Sequence, residues 1–285
     1  MKYLITGSAG QLGSEFISQF RCIGADYLAP AETEFNITSR ASINAVVGAW
    51  RPDVIINCAA YNNVDKAQTE RDRAFLGNAE GPRNLAAIAT DVGAKLVHYS
   101  TDYVFDGAKK TGAYLETDVA TPLNIYGESK LAGEKLVLAE CPRTLVLRLS
   151  WLYGRGPQNF ISKVLFWAKE RDVLKIADDE VSVPTSAARV VDITLRALNG
   201  DLTGLYHAVN SGYCSRLEWA DAVLKMKGIR KHIEPAKMKD FNLPARRPGF
   251  SAMENNCISD LLGISIPCWK EDLERHMTGM EKMAG

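Results

Sequence analysis

The segment YGESK, residues 126 to 130, places a phenol and an ammonium four positions apart, at Tyr126 and Lys130. In a helix, residues i and i+4 lie on one face, so the two side chains can converge on one site. A nearby cation lowers the pKa of a tyrosine by favouring the phenolate. A phenol acidified in this way is a better proton donor to a carbonyl group that receives hydride. The pair alone is equally compatible with a solvated helix, so its interpretation depends on the preceding segments.

The segment HYSTDYVFDG, residues 98 to 107, adds a hydroxyl upstream of this pair. The apolar run that leads into it, residues 94 to 100, is typical of a buried strand and ends near Thr101. Ligands of open α/β folds bind at the carboxyl edge of the sheet. We therefore expect Thr101 to hydrogen-bond the carbonyl oxygen and to stabilise the developing alkoxide, while Tyr126 gives the proton.

The segment TGSAGQLG directly follows the first apolar run and places glycines at Gly7, Gly10 and Gly13. A backbone that turns tightly against a diphosphate has no room for side chains, and the helix that follows offers free N–H groups to the phosphates. This GxxGxxG pattern predicts a dinucleotide site, in which Lys130 also holds the nicotinamide ribose. No acidic residue or arginine identifies the adenosine ribose, so NADH and NADPH both remain open.

Apolar runs alternate with helical patterns over the first half of the chain. Strands are predicted at residues 2–6, 53–60, 94–100 and 144–153, with a weak strand before Pro30, and helices at 11–20, 39–50, 72–92 and from Tyr126 onward. This alternation predicts an α/β fold, a Rossmann-like doubly wound parallel sheet with helices on both faces. The expected NAD(P)-binding domain spans residues 1–153.

The regular alternation of strands and helices changes after residue 153. This change predicts a smaller C-terminal substrate-binding subdomain over residues 154–285. Its expected elements are a helix at 160–171, a helix capped by Thr185 or Ser186, a strand at 204–210, a helix stopping at Gly228, and a last helix starting near Pro267 or Trp269. Some of these elements are expected to return to the sheet.

Composition excludes several classes of protein. The 285 residues carry 34 basic and 34 acidic side chains, and this balance argues against nucleic-acid binding. No apolar run is long enough to span a bilayer, and the N-terminus lacks the features of a signal peptide. The cysteines and histidines show no metal-ligand spacing. We therefore expect a cytoplasmic protein with no metal, membrane or nucleic-acid partner, whose cysteines are small buried hydrophobes.

Six blocks, TGSAGQLG, NCAAYNNVDKAQTE, HYSTDYVFDG, ETDVATPLNIYGESKLAGE, RLSWLYG and RRPGFS, together resemble the dTDP-4-dehydrorhamnose reductases. These enzymes belong to the extended short-chain dehydrogenase/reductase superfamily. The blocks occur in family order and cover most of the chain. The resemblance implies reduction of the C4 ketone of dTDP-4-dehydro-L-rhamnose by NADPH or NADH, giving dTDP-L-rhamnose for polysaccharide biosynthesis.

The resemblance also implies roles for individual residues. Tyr126 matches the proton donor, Lys130 its partner and Thr101 the carbonyl-binding hydroxyl. The cofactor contacts would be Gly10, Gln11 and Leu12 at the diphosphate, Ala59, Ala60 and Tyr61 beside it, and Asn36 and Ile37 on the adenine side. The substrate contacts would be Asp102 and Trp151 at the sugar, and Asn159 and Arg247 at the nucleotide or diphosphate. A core aromatic is an equally good interpretation of Trp151.

Two features depart from the family pattern, a loop and a metal-binding position. Val181 and Ser182 stand where the family usually has a tyrosine and a glycine, in a loop that would shape the sugar pocket. Some members dimerise around a magnesium ion held by glutamates. Glu15 fits one of those positions, but the second falls near Ala188, which is not acidic. We therefore predict no metal site and leave monomer and homodimer open.

Two alternatives remain beside this interpretation. One is a reductase of another nucleotide-linked 4-keto sugar on the same scaffold, which a substrate panel would distinguish. The other is a non-catalytic regulatory subunit, since relatives of this family can keep the cofactor site and lose catalysis. The presence of Thr101, Tyr126 and Lys130 together argues against that loss.

Overall fold

The computed structural model describes residues 1–284, with side chains up to residue 279. The first half of the chain alternates strands and helices. Its elements are β1 (Lys2–Thr6), α1 (Gln11–Ile23), β2 (Asp26–Leu28), α2 (Arg40–Trp50), β3 (Val54–Asn57), α3 (Val64–Ala67), α4 (Arg71–Phe75), a π-helix (Leu76–Glu80), α5 (Gly81–Val92), β4 (Lys95–Thr101), a 3₁₀ turn (Asp102–Val104), α6 (Ile125–Glu140) and β5 (Thr144–Leu149).

The second half contains shorter strands between helices. Its elements are β6 (Leu152–Tyr153), α7 (Phe160–Glu170), β7 (Val173–Ala177), β8 (Val181–Ser182), β9 (Thr185–Ser186), α8 (Ala187–Asn199), β10 (Gly204–His207), β11 (Cys214–Ser215), α9 (Arg216–Met226), β12 (His232–Ala236), a 3₁₀ turn (Met238–Phe241), α10 (Asn256–Leu262) and α11 (Trp269–Ala284).

The described residues form a six-stranded sheet in the order β2-β1-β3-β4-β5-β10, with every neighbouring pair parallel. The residues of β3, β4 and β5 are buried throughout, as expected for strands covered on both faces. The predicted fold class, a Rossmann-like doubly wound α/β sheet, is confirmed.

Helices cover both faces of this sheet. On one face, Phe16 and Phe20 of α1 pack with Val190 of α8 against residues of β1, β4 and β5. On the other face, Val47 of α2 and Leu85 of α5 pack against the opposite sides of the strands. A separate apolar cluster lies in the second half of the chain and is built around tryptophans, Trp151, Trp219 and Trp269.

The second half contributes directly to the main sheet. Strand β10 pairs with β5 in parallel, with His207 opposite Arg148. Further small pairings are β8 with β11, β6 with β9, and β7 with β12. The pairing of β7 with β12 was not expected, because these strands are short and β12 contains Pro235, which usually weakens a strand assignment. The boundary at residue 153 stays a prediction.

Several element bounds differ from the sequence-based expectation. The strand expected at 53–60 ends at Asn57, and the strand expected at 144–153 divides at Trp151, whose φ of 40° lies in the left-handed region. The π-helix interrupts the helix expected at 72–92. Two caps are confirmed: the hydroxyls of Ser39 and Ser186 accept hydrogen bonds from main-chain N–H groups at the starts of α2 and α8.

The glycine loop packs against α1 without space for side chains. A Cβ on Gly13 would lie 2.3 Å from the carbonyl oxygen of Gly7. Gly7 has a φ of +62°, and a Cβ there would lie 2.6 Å from the main-chain nitrogen of Ala59. Glycine at these positions therefore lets β1, α1 and the segment after β3 meet at one point.

We expect Gly13→Ala to lower the free energy of unfolding by about 1–3 kcal/mol, because an added methyl forces main-chain atoms apart. The matched control is Gly48→Ala, inside α2, where a Cβ meets no atom within 4 Å. Its higher helix propensity should raise the same free energy by about 1 kcal/mol. Urea unfolding of both variants measures the difference, and equal stabilities would contradict the proposed close packing.

Candidate active site

A cleft of about 490 Å³ opens beside the glycine loop and the segments that follow β2 and β3. Its walls include seven of the predicted cofactor residues, which are Gly7, Gly10, Asn36, Ile37, Ala59, Ala60 and Tyr61. Gly10 precedes α1 with an extended backbone and no side-chain cap, which leaves N–H groups of the first turn free for a phosphate. The cleft therefore fits a dinucleotide in size and chemistry.

The other predicted cofactor residues do not line this cleft with their side chains. Leu12 is buried in the core against the sheet, and Gly13 packs under the loop. A Cβ on Gly154 would contact the Cγ of Gln11, so the side chain of Gln11 extends toward the second half of the chain. Any contact of Leu12 or Gly13 with a diphosphate would involve main-chain atoms.

A buried line of hydrogen bonds supports the floor of the cleft. The Thr6 hydroxyl accepts from the N–H of Ala59 at 3.2 Å and donates to Oδ1 of Asn57 at 2.7 Å. Asn57 then donates from Nδ2 to Nδ1 of His98, 3.1 Å away, which places the proton of the neutral imidazole on Nε2. Burial and the charge of Lys130 keep the pKa of His98 well below its usual value.

Tyr126 lies in the first turn of α6, which Asn124 caps by accepting from the N–H of Gly127 at 2.8 Å. The Tyr126 ring is half-buried and contacts Tyr103 edge-to-face, with centroids 6.1 Å apart. A Cβ on Gly127 would lie 2.2 Å from the carbonyl oxygen of Tyr103. The glycine after the tyrosine therefore lets α6 approach the end of β4 closely.

Lys130 lies one turn further along α6 and is buried, with 3% of its surface exposed. Its ammonium donates to the carbonyl oxygen of Tyr99 on β4 at 2.5 Å. Burial lowers the pKa of Lys130 to about 8, while the charge of Glu134 raises it. Lys130 therefore begins to lose its proton only slightly above neutral pH.

The prediction that Lys130 lowers the pKa of Tyr126 is wrong. Burial raises the pKa of Tyr126 to about 12, against a hydrogen bond with Thr101 that lowers it, and the charge of Asp102 raises it further. The loss of water around the phenol outweighs these contacts, and the ammonium is directed at a main-chain carbonyl. Tyr126 is therefore a neutral phenol over the physiological pH range.

Thr101 and Asp102 follow each other at the carboxyl end of β4. The Thr101 hydroxyl donates to Oδ1 of Asp102 at 3.2 Å and accepts from the N–H of Tyr103 at the same distance. Oδ2 of Asp102 accepts from three serine hydroxyls, those of Ser150, Ser182 and Ser251, at 3.2, 2.8 and 2.6 Å. Burial raises the pKa of Asp102, and the hydroxyls of Ser251 and Ser182 lower it.

This serine cluster, Ser150, Ser182 and Ser251 around Asp102, was not predicted. It includes Ser182, from the loop that departs from the family pattern, and it binds Asp102 from three segments that are far apart in sequence. Oδ2 of Asp102 is already bound by the three serine hydroxyls. The contact of Asp102 with the sugar stays a prediction.

A second cavity, of about 390 Å³, lies beyond Tyr103 and holds three predicted substrate residues, Trp151, Asn159 and Arg247. Trp151 stacks on Trp219 with centroids 5.6 Å apart and rings 9° from parallel. It therefore belongs to a buried aromatic cluster and also lines the cavity, so both interpretations of this residue find support.

The polar groups of this cavity are held by their own partners. Asn159 caps α7 and donates from Nδ2 to the carbonyl oxygens of Gly154 and Gly156. Arg247 donates from both terminal nitrogens to the carboxylate of Asp65, at 3.0 and 2.8 Å. These contacts fix the two side chains at the wall of the cavity.

Sequence reasoning missed a chain of contacts between the two sites. Arg216 lies over the Trp151 ring, 3.6 Å from its centroid, and donates from Nε to Glu180 at 3.1 Å. Glu180 also accepts from the hydroxyl of Tyr103 at 2.8 Å, and Tyr103 contacts Tyr126. These residues come from separate segments with no shared motif, so no sequence pattern brings them together.

Neither a metal centre nor a membrane span is found in the part of the chain that the structure describes. No cluster of three His, Cys, Asp or Glu side chains there could hold a metal ion, and no helix there has the length and apolarity to cross a bilayer. Glu15 is buried on α1, accepts from Gln19 at 3.1 Å, and lies 4.0 Å from Nε of Arg155.

The doubly wound parallel sheet, with the glycine loop between β1 and α1, is the fold of the extended short-chain dehydrogenase/reductase class. A family model described as the RmlD substrate binding domain matches residues 1–282. The chain therefore belongs to the RmlD family.

Similar proteins agree with this assignment. The chain is 34% identical to a dTDP-4-dehydrorhamnose reductase of Sinorhizobium fredii, over 96% of both chains. It is 33% identical to the spore coat polysaccharide biosynthesis protein SpsK of Bacillus subtilis, over 97% of this chain and 96% of the relative. A solved dTDP-4-dehydrorhamnose reductase of Bacillus anthracis in complex with NADP is 35% identical, with a TM-score of 0.94, covering 98% of this chain and 99% of the other.

These matches confirm three predictions: the family, the class of NAD(P)H-dependent oxidoreductase and the nicotinamide cofactor. The assignment of individual residues to the site stays a prediction.

We expect Ser251→Ala to lower the free energy of unfolding by about 1.5–3 kcal/mol, the usual contribution of a hydrogen bond to a charged group. Without this donor the pKa of Asp102 in the folded state rises further. The decrease in the free energy of unfolding should therefore be largest where Asp102 is ionised. It should become smaller as the pH falls and Asp102 becomes protonated.

Urea unfolding at neutral and mildly acidic pH measures this difference. The control is Ser14→Ala, on the exposed face of α1, which should change the free energy of unfolding by no more than about 0.5 kcal/mol at either pH. A loss for Ser251→Ala that is independent of pH would show that the hydroxyl does not interact with the ionised Asp102.

Proposed function

We propose that this protein reduces the C4 ketone of dTDP-4-dehydro-L-rhamnose to give dTDP-L-rhamnose, with NADPH or NADH as the reductant. The observation that carries the proposal is the position of Thr101, Tyr126 and Lys130. Tyr126 hydrogen-bonds Thr101 at the end of β4, and Lys130, one turn further along α6, donates to the carbonyl oxygen of Tyr99 on the same strand. Relatives named as dTDP-4-dehydrorhamnose reductases, similar over nearly their whole length, support the choice of sugar.

The protein's own groups handle the proton and the developing charge. A bound reduced nicotinamide supplies the hydride. The hydroxyl of Tyr126 donates its proton to the ketone oxygen, and Thr101 hydrogen-bonds the same oxygen. Because burial raises the pKa of Tyr126 to about 12, the phenol is protonated at neutral pH and ready to donate. Lys130 holds the ribose as a cation.

The second cavity has the chemistry of a nucleotide diphosphate site. Its aromatic rings offer stacking surfaces for a base, and its arginines offer planar donors for phosphate oxygens. Arg216 is fixed through Nε by Glu180, and its guanidinium lies over the ring of Trp151. Arg247 is fixed by Asp65 on the same cavity wall. We infer that these two arginines bind the diphosphate, with Asn159 nearby.

The adenosine end of the cleft accepts either nicotinamide cofactor in this proposal. Arg73 lines the cleft but pairs with Glu70 at 2.8 Å, and Glu32 lines the same cleft with the opposite charge. We further propose that the protein acts in the cytoplasm, where its six cysteines, which are free thiols in the structure, stay reduced. Monomer and homodimer are both compatible with this mechanism.

A substrate panel tests the proposed reaction. The protein is incubated with dTDP-4-dehydro-L-rhamnose or another nucleotide-linked 4-keto sugar, each with NADPH or NADH, and loss of nicotinamide absorbance is followed. We expect turnover with the rhamnose precursor. Turnover with another 4-keto sugar alone would move the assignment to that sugar. The absence of turnover from folded, cofactor-binding protein would instead favour a non-catalytic subunit.

We expect Tyr126→Phe to lower kcat by about 10²-fold or more, because the variant lacks the general acid. Cofactor affinity, measured by quenching of protein fluorescence, should stay within a few-fold of wild type. The matched control is Tyr213→Phe, which removes a hydroxyl from a side chain that is 52% exposed. If Tyr126→Phe keeps turnover close to that of Tyr213→Phe, another group provides the proton.

A further inference from the structure

Helix α6 presents three chemical groups at successive four-residue intervals, Tyr126, Lys130 and Glu134. This spacing places them along one face of the helix, which packs against β4 and β5. Glu134 is buried, with 2% of its surface exposed, as deeply as Lys130. A carboxylate is almost never fully buried without a charged partner. The proposed reaction gives Glu134 no role so far.

Arg148 of β5 holds the Glu134 carboxylate with two parallel hydrogen bonds. Its Nε donates to Oε1 at 2.9 Å and its Nη2 to Oε2 at 2.8 Å. A two-point contact of this kind fixes both the position and the plane of the carboxylate. Glu134 therefore has one defined orientation beneath the sheet.

The register of the sheet brings this pair next to the ammonium. Arg148 pairs with Ser100 in the β4–β5 ladder, and Lys130 donates to the carbonyl oxygen of the preceding residue, Tyr99. The buried ammonium of Lys130 contacts β4, and the buried guanidinium of Arg148 belongs to the adjacent strand β5. Both lie on the face of the sheet that α6 covers. Glu134 lies on the same face of α6 as Lys130 and contacts Arg148.

The two histidines and the tyrosine near this site are neutral. His98 of β4 is neutral, because burial and then the charge of Lys130 depress its pKa. His207 of β10 lies 3.5 Å from Arg148, and burial and the arginine lower its pKa to about 3. Tyr126 is a neutral phenol. Asp102 acts on Tyr126, and Glu116 lies 4.0 Å from Nδ1 of His207. Glu134 is the carboxylate whose charge raises the pKa of Lys130.

We propose that Glu134 is a positioning residue that keeps Lys130 protonated, and that Arg148 holds its carboxylate in place for this purpose. The consequence for catalysis rests on the proposed function, in which Lys130 acts as a cation beside Tyr126. Without Glu134, nothing would offset the effect of burial, which lowers the pKa of Lys130. It would then lose its proton within the working pH range.

The pKa of Lys130 can be measured directly by NMR. Protein labelled with [ε-¹³C]lysine is titrated, and the Lys130 signal is assigned by its loss in Lys130→Met. In wild type we expect a pKa of about 8. In Glu134→Gln it should fall by about one unit or more, the usual effect of removing a close opposite charge. In Glu134→Asp the pKa should return toward the wild-type value. An unchanged pKa in folded Glu134→Gln would overturn the proposal.

A further variant separates this role from a structural one. Glu134→Gln with Arg148→Met leaves neither partner of the ion pair charged. If the single variant does not fold, this double variant must still show a lowered pKa of Lys130, and a wild-type value would overturn the proposal.

The pH profile of turnover tests the consequence for catalysis. Since the protonated form of Lys130 is active, kcat/KM should fall as the pH rises through its pKa, and Glu134→Gln should move this alkaline limb to lower pH by the same shift. A limb that stays in place despite a shifted NMR titration would refute the link to catalysis. An inactive wild type would refute the proposed function, and the NMR titration would still decide the role of Glu134.

Discussion

The structure depends on the burial of one ammonium group. Lys130 lies beneath the carboxyl end of the sheet, where a charge loses its water and must be compensated by the protein. The carbonyl oxygen of Tyr99 and the carboxylate of Glu134, which Arg148 holds in place, supply that compensation. Helix α6 reaches this depth because a Cβ on Gly133 would lie 2.0 Å from the carbonyl oxygen of Asn78, which leaves room for glycine only.

The same position joins the two halves of the site. The line from Ala59 through Thr6 and Asn57 ends at His98, beside the ammonium on the cofactor side. On the other side, Tyr103 connects Tyr126 with Glu180 and so with the wall of the second cavity. Both networks meet β4, the strand that carries Thr101. The geometry of the candidate reacting groups is therefore set by contacts to both cavities.

The sequence predicted what short-range patterns encode. Buried runs predicted the central strands, hydroxyl caps predicted the starts of α2 and α8, and the glycine spacing predicted the cleft. The direction of the Tyr126 pKa shift could not be predicted, because it depends on how deeply the phenol is buried. The serine cluster was also inaccessible, because Ser182 and Ser251 lie 80 and 149 residues from Asp102 in the chain. The π-helix, which contacts α6, was likewise not predicted.

The edge strand β10 comes from the second half of the chain, and α8 covers one face of the sheet with Ile258 and Ile266. During synthesis, the first half of the chain leaves the ribosome with α1 as its own cover for that face. The rest of the cover is complete only after residue 266 has emerged. The glycine loop is therefore made well before the surface that completes the packing around its strand.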